Sequence, residues 1–169
     1  MKRIVIIVII LLIVLASIII FGKIQALNNK IKKKYKRLNI CFEKRWEIMP
    51  NIIGIANSYV KYEKESFKIL IEILNMDYTK LTEIEKIKIN TELTKRTEDF
   101  ITYIKSYPEI EENPNYIKLK SLLDEYENEI VNTTKTYNEL STTFNEKIEK
   151  NPAKIIAKIF RFKKKPLFK

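Results

Sequence analysis

The chain has 169 residues, a formal net charge of +11, one cysteine, two glycines and no histidine. A single cysteine rules out an internal disulfide, and the lack of histidine removes the usual His/Cys zinc constellations. With only Gly22 and Gly54, the chain has no phosphate-cradling glycine loop, and a turn-rich β fold is disfavoured.

The first predicted element is the unbroken apolar run Ile4 to Phe21, diluted only by Ala16 and Ser17. As a helix it rises about 27 Å, enough to cross most of a hydrocarbon core of roughly 30 Å. A cleaved signal peptide has a shorter apolar core, about 7–15 residues, ending at a small-x-small site. Here the best cleavage candidate, Ala26, follows Ile24 and Gln25, so a retained anchor over residues 1–22 is expected. Seven basic residues and no acid lie between Lys23 and Arg37; before the run stand Lys2, Arg3 and the terminal amine. Counting these flanks favours the domain that follows on the cytosolic side of a single-pass cell-membrane protein, against the pull of the basic leader.

Residues 23–150 read as helical. One seven-residue row is Ile24, Ile31, Leu38, Arg45, Ile52, Tyr59, beside Asn28, Tyr35, Phe42, Met49, Ala56, Glu63, Leu70. Such a stripe must be buried against other helices. Pro50 interrupts it and leaves two alternatives open. A kinked continuous helix keeps the register. A sharp joint gives segments of about 26, 26, 28 and 36 residues, suited to an up-down four-helix bundle. Four segments would return the C-terminus to the membrane end, as the basic tail favours. A second block, Thr82 to Tyr107, opens with the capping-box pair Thr82 and Glu85 and carries Ile84, Ile87, Leu93, Ile101 and Ile104. The third starts at Asn113 as cap and Pro114 as first residue; Leu119, Leu123, Tyr126, Ile130, Thr133, Tyr137, Leu140, Phe144 and Ile148 then alternate by three and four.

After Asn151 and Pro152, another expected cap and first-turn pair, residues 151–169 form a basic tail. Ile155, Ile156, Ile159 and Phe160 gather on one side, with Lys154, Lys158 and Arg161 opposite and Phe162 among Lys163, Lys164 and Lys165. A short basic amphipathic helix suits the interface of an anionic leaflet, so Lys154, Lys158, Phe160, Arg161, Phe162 and Lys163 to Lys165 are the candidate lipid contacts. The plainer alternative packs the apolar side onto the bundle end and leaves the lysines in water.

Arg45 is the unusual member of the buried row, with Glu63 its acidic counterpart. Across a hairpin at Pro50 they would lie about 12 Å apart along the axis, so each meets partners elsewhere or sits at a bundle end. Glu109, Glu111 and Glu112 precede Pro114 in an expected solvated loop, not the facing pair that acid–base catalysis needs. Lys32 to Lys34 lack interleaved aromatics and follow the apolar span, which favours topology and lipid contact over nucleic acid. Cys41 is expected to act as a small apolar side chain, and Trp46 to pack at the joint.

The chain resembles the LemA family of membrane-anchored bacterial helical proteins. Its pattern of a basic pair, an aromatic, an acid, two aliphatics and Pro-Asn stands here as Lys44, Arg45, Trp46, Glu47, Ile48, Met49, Pro50, Asn51. Tyr59, Glu63-Lys64, Tyr107-Pro108, Glu127-Asn128, Tyr137-Asn138 and Phe144-Asn145 follow in order, then Asn151, Ala157, Phe160, Phe162, Pro166 and Phe168. Departures are Tyr35 for a Trp, Asn39 for an Asp, Tyr62 for a His, and Arg161 for the glycine between the tail phenylalanines. The resemblance implies one N-terminal span and an antiparallel four-helix bundle, without a well-established activity. Arg45, Trp46, Glu47, Pro50, Asn51 and Glu63 form the candidate structural or partner site; no catalytic, cofactor or metal residues are assigned. The expected role is a non-enzymatic scaffold binding a partner protein at the membrane surface, with no nucleic acid or small-molecule substrate. The alternative is a lipid- or envelope-interacting effector acting through the tail.

Overall fold

A computed structural model of the chain describes residues 1–60 and 65–168. Apart from turns, the regular structure among them is helical: α1 (Lys2–Asn57), α2 (Glu65–Leu74), a 3-10 turn at Tyr78–Lys80, α3 (Glu83–Ile104), the one-turn α4 (Pro108–Glu111), α5 (Pro114–Glu149) and α6 (Ala153–Ile159). The chain divides into two compact units, and α1 and α5 contribute to both. One comprises Met1–Tyr35 and Thr136–Leu167; the other comprises Lys36–Lys135 and Phe168.

Pro50 is not a joint. α1 continues through it to Asn57 as one 56-residue helix. Proline forfeits a single backbone donor. Its own ring is exposed while Met49 and Ile52 are fully buried, so packing on the inner face holds the helix across the missing bond. The helix tightens at its end, where Ser58 N and Tyr59 N donate to Ile55 O and Ala56 O at 3.1 and 3.0 Å. The second of the expected long segments is therefore replaced by the ten-residue α2. Tyr62, Glu63 and Lys64 lie outside the described residues.

The seven-residue row is otherwise as expected: Ile24, Ile31, Leu38, Arg45 and Ile52 are 0–1 % exposed. Tyr59 departs from it, exposed because the helix has already ended. The capping box forms as predicted, with Glu85 N donating to Thr82 Oγ1 at 3.3 Å and Thr82 N to Glu85 Oε2 at 2.8 Å. Asn113 caps α5, its Oδ1 accepting from Asn115 N and Tyr116 N. Ile84, in the first turn of α3, is exposed instead of buried. Nor does Asn151 cap α6, which starts after Pro152 without a side-chain cap.

In the unit around Lys36–Lys135, Met49, Ile52, Leu70, Leu93, Ile104 and Ile110 are fully buried. Each such side chain contributes about 1.5–3 kcal/mol. In the other unit, Ile24, Ile31, Tyr137, Phe144 and Ile148 are buried, while the large apolar side chains from Ile4 to Ile19 are 48–66 % exposed. That stretch has a mean hydropathy of 3.8 with none of it buried, long and apolar enough to span a membrane.

Candidate functional site

Arg45 is completely buried and joins three helices. Its Nη1 donates to Thr94 Oγ1 of α3 at 2.7 Å and to the Glu127 carboxylate of α5 at 3.0 and 3.3 Å. Its Nη2 donates to the carbonyl oxygen and to Oδ1 of Asn90, also on α3, at 3.1 and 2.7 Å. The Phe42 ring lies 5.5 Å from the guanidinium carbon, a cation–π arrangement. Among the described residues its buried Nε has no hydrogen-bond partner. The guanidinium fork is thus divided, Nη1 holding the carboxylate and Nη2 the two Asn90 oxygens.

The network extends outward from Asn90. Asn90 Nδ2 donates to Lys86 O and to the Tyr78 hydroxyl, and Tyr78 in turn donates to Asn39 Oδ1 at 3.0 Å. Burial pushes the Tyr78 phenol up to about 12. Trp46 packs on Tyr78 as a tilted ring pair with centroids 5.0 Å apart, and its Nε1 donates to Leu74 O at the end of α2. Trp46 thus ties α1 to α2 and to the 3-10 turn, in place of packing at a joint. Chemically, this arrangement fixes register: a guanidinium with no exposed surface is consumed by internal acceptors. Beside it opens an apolar pocket of about 340 Å³, walled by Phe42, Ile130, Val131 and Phe168, with Thr94 and Lys135 on its polar side.

Arg45 and Trp46 are the two predicted site residues that this network brings together. Glu47 pairs with Lys44 on the surface, and Asn51 donates to the Glu47 carbonyl oxygen; these two and Pro50 are exposed. Glu63 lies outside the described residues. The anion that Arg45 uses is Glu127, which the sequence reading did not assign. A signal for it exists: Glu127 follows Leu123 by four and precedes Ile130 by three, on the edge of the buried stripe. Cys41 is buried, and burial, with Glu129 second, raises its thiol above the ordinary value. Glu109, Glu111 and Glu112 are exposed around the short α4. Among the described residues, no three His, Cys, Asp or Glu side chains converge as a metal site.

The tail is built differently from its prediction. Ala153, Ile156 and Ala157 form the buried face of α6, leaving Ile155, Ile159 and Phe160 exposed by 60, 67 and 54 %. α6 ends in a Schellman turn: Phe162 N donates to Ala157 O, Arg161 N to Lys158 O, and Arg161 holds a φ of 54°. That is the left-handed position glycine usually takes. Beyond it the irregular segment is clasped by α5: Asn145 both donates to Lys165 O and accepts from Lys165 N, and the Tyr137 hydroxyl donates to Pro166 O. Of the candidate lipid contacts, Phe162 is therefore half-buried against Phe144, Lys165 lies over the Phe144 ring, and Lys164 pairs with Glu149. Lys154, Lys158, Phe160, Arg161 and Lys163 remain exposed. Phe21, at the end of the apolar run, meets Phe160 and Phe162 with ring centroids at 4.4 and 6.1 Å.

The family model described as the LemA family matches residues 24–169. No curated protein matches the chain.

Proposed function

The chain belongs to the LemA family, and on that footing we propose a membrane-anchored, non-enzymatic scaffold that presents a helical bundle to a partner protein. The exposed apolar stretch Ile4 to Ile19 supports anchoring, since only lipid would cover it without cost. The seven Lys and Arg residues between Lys23 and Arg37 favour the cytosolic side. An antiparallel four-helix bundle of α1, α2, α3 and α5 accounts for the contacts in the Lys36–Lys135 unit. Asn113 reaches Tyr59 while Glu127 reaches Arg45, so α5 runs against α1; α2 packs on α3 through Phe67, which meets Phe100 and Tyr103.

The observation that carries the reading is the pocket beside the Arg45 network. It combines a wall of buried Phe42, Ile130 and Phe168, an exposed apolar residue in Val131 at 62 %, and a single cation in Lys135. Preorganised apolar pockets with few polar groups are where binding energy concentrates. A photo-crosslinking residue at Val131 tests this in cells, with one at exposed Lys95 of α3 as the control. A discrete adduct from position 131 that Lys135→Glu weakens is expected. Equal labelling from both positions would sink the proposal.

A second reading, a lipid-directed effector acting through the tail, draws on the exposed Ile155, Ile159 and Phe160 beside Phe21. Deleting the tail would not isolate that role, because Ala153, Ile156, Ala157 and Phe168 are buried. Ile155→Ser with Ile159→Ser touches the exposed face alone. Under the scaffold reading the crosslink at Val131 survives this pair; under the effector reading the membrane response is lost while the crosslink carries no functional consequence.

A further inference from the structure

We infer that the unit of Met1–Tyr35 and Thr136–Leu167 carries a discrete binding site for the headgroup of an anionic phospholipid, formed by Lys23, Lys147 and Lys150. This rests on the reading that the apolar run crosses a bilayer. The three lysines line one pocket of about 380 Å³ with Ile20, Pro152 and Ala153 as apolar wall and Thr143, Glu146 and Asn151 as the remaining polar groups. A volume of that size accommodates a phosphoglycerol headgroup.

Depth, charge and wall chemistry all point to this occupant. Ile20 belongs to the apolar run, and Lys23 stands two residues past its end at Phe21, about 3 Å further along the helix. The pocket mouth therefore lies where hydrocarbon gives way to headgroups. Its lining carries three cations and one anion, Glu146. None of the three lysines makes an ion pair among the described residues, whereas Lys164 of the tail is paired with Glu149. Ile20, Pro152 and Ala153 supply an apolar surface for the glycerol and the upper acyl chain. A phosphodiester fits this combination; a choline or ethanolamine cation would be set among three lysines. Basic pockets at the end of a membrane span are a recurring form of anionic-lipid recognition.

The test uses the full chain in nanodiscs of phosphatidylcholine doped with phosphatidylglycerol, with retained lipids counted by native mass spectrometry. All four variants, Lys23→Gln, Lys147→Gln, Lys150→Gln and Glu146→Gln, change exposed side chains and leave the core intact. The wild type is expected to retain one phosphatidylglycerol and no phosphatidylcholine. Each lysine variant should weaken retention about fivefold, and Glu146→Gln should strengthen it, which a purely structural role would not do. Lys95→Gln, on exposed α3 surface remote in sequence from the pocket, should leave it unchanged. Retention that ignores the four pocket variants overturns the site. Displacement of the lipid by millimolar inorganic phosphate reassigns the pocket to free phosphate and overturns the lipid. Failure of the wild type to embed in neutral nanodiscs overturns the anchoring itself, an outcome separable from both.

Discussion

Replacing Arg45 by methionine keeps most of the side-chain volume and removes the charge and the five hydrogen bonds the guanidinium makes among the described residues. The consequences differ by partner. Thr94 Oγ1 and the Asn90 carbonyl oxygen retain their mutual bond at 3.0 Å, so neither is orphaned. Asn90 Oδ1, on a residue only 1 % exposed, loses its 2.7 Å donor and is left bare, which costs about 1–3 kcal/mol. Glu127 has a side chain 22 % exposed and can rehydrate in part, which holds its loss below that of a fully buried anion. Together these give about 3 kcal/mol, at the low end of the ~3–5 kcal/mol for breaking a buried pair. Glu127→Gln should be the more severe change. It leaves a guanidinium with no exposed surface lacking its anion, at about 4–5 kcal/mol. Urea unfolding of the full chain in detergent, followed by the single Trp46, measures both, since Trp46 reports the same unit through its bond to Leu74. At a slope of roughly 2 kcal/mol per M, the midpoints fall by about 1.5 M for Arg45→Met and 2 M or more for Glu127→Gln. A loss under about 0.5 M for Arg45→Met, or a Glu127→Gln milder than it, would refute the argument that this network holds the helices in register.

Three further outcomes are expected. Tyr78 and Tyr116 are both pushed up to about 12, chiefly by burial, from an ordinary value of 10. Because the folded state keeps these protons, the stability they contribute is fully present below pH 10 and lost as the pH rises from 10 to 12. The unfolding free energy from urea titrations should fall over that window by up to about 1.4 kcal/mol per pH unit for each phenol, and Tyr78→Phe should remove its share. Arg161→Gly relieves the left-handed residue of the Schellman turn by about 1 kcal/mol, and hydrogen exchange at the Phe162 amide should slow; faster exchange contradicts the assignment. Cys41, buried and with its thiol raised by burial, should resist maleimide in the native chain and react readily in urea. Rapid native labelling would show that the helix contacts around it open.

The sequence reveals the buried stripe of α1 well, because a seven-residue row of Ile and Leu has no other use in a single helix. It also exposes Arg45 as an anomaly, since a lone cation on that row demands partners. Those partners are hidden for a physical reason: Asn90, Thr94 and Glu127 each sit beside stronger apolar positions, and which polar group turns inward depends on how helices distant in sequence meet. Pro50 misleads because proline's effect is local while the packing of Met49 and Ile52 is not. In α6, the bulk of Ile155, Ile159 and Phe160 suggests the inner face. The space available instead suits Ala153 and Ala157 with Ile156, and the larger residues are left outside.

One unit combines the first 35 residues with residues 136–167, and this has a consequence for biosynthesis. α1 leaves the ribosome about a hundred residues before the segment that covers Ile24 and Ile31. At about 5–20 residues per second, that stripe waits for roughly 5–20 s without its counterpart. The Lys36–Lys135 unit can close in the meantime, having almost all of its own residues. A chain halted near residue 135 would therefore carry one finished unit and a bare Ile24, Asn28 and Ile31 stripe. Such a product is a natural substrate for quality-control proteolysis, and its half-life would track how quickly the final helix arrives.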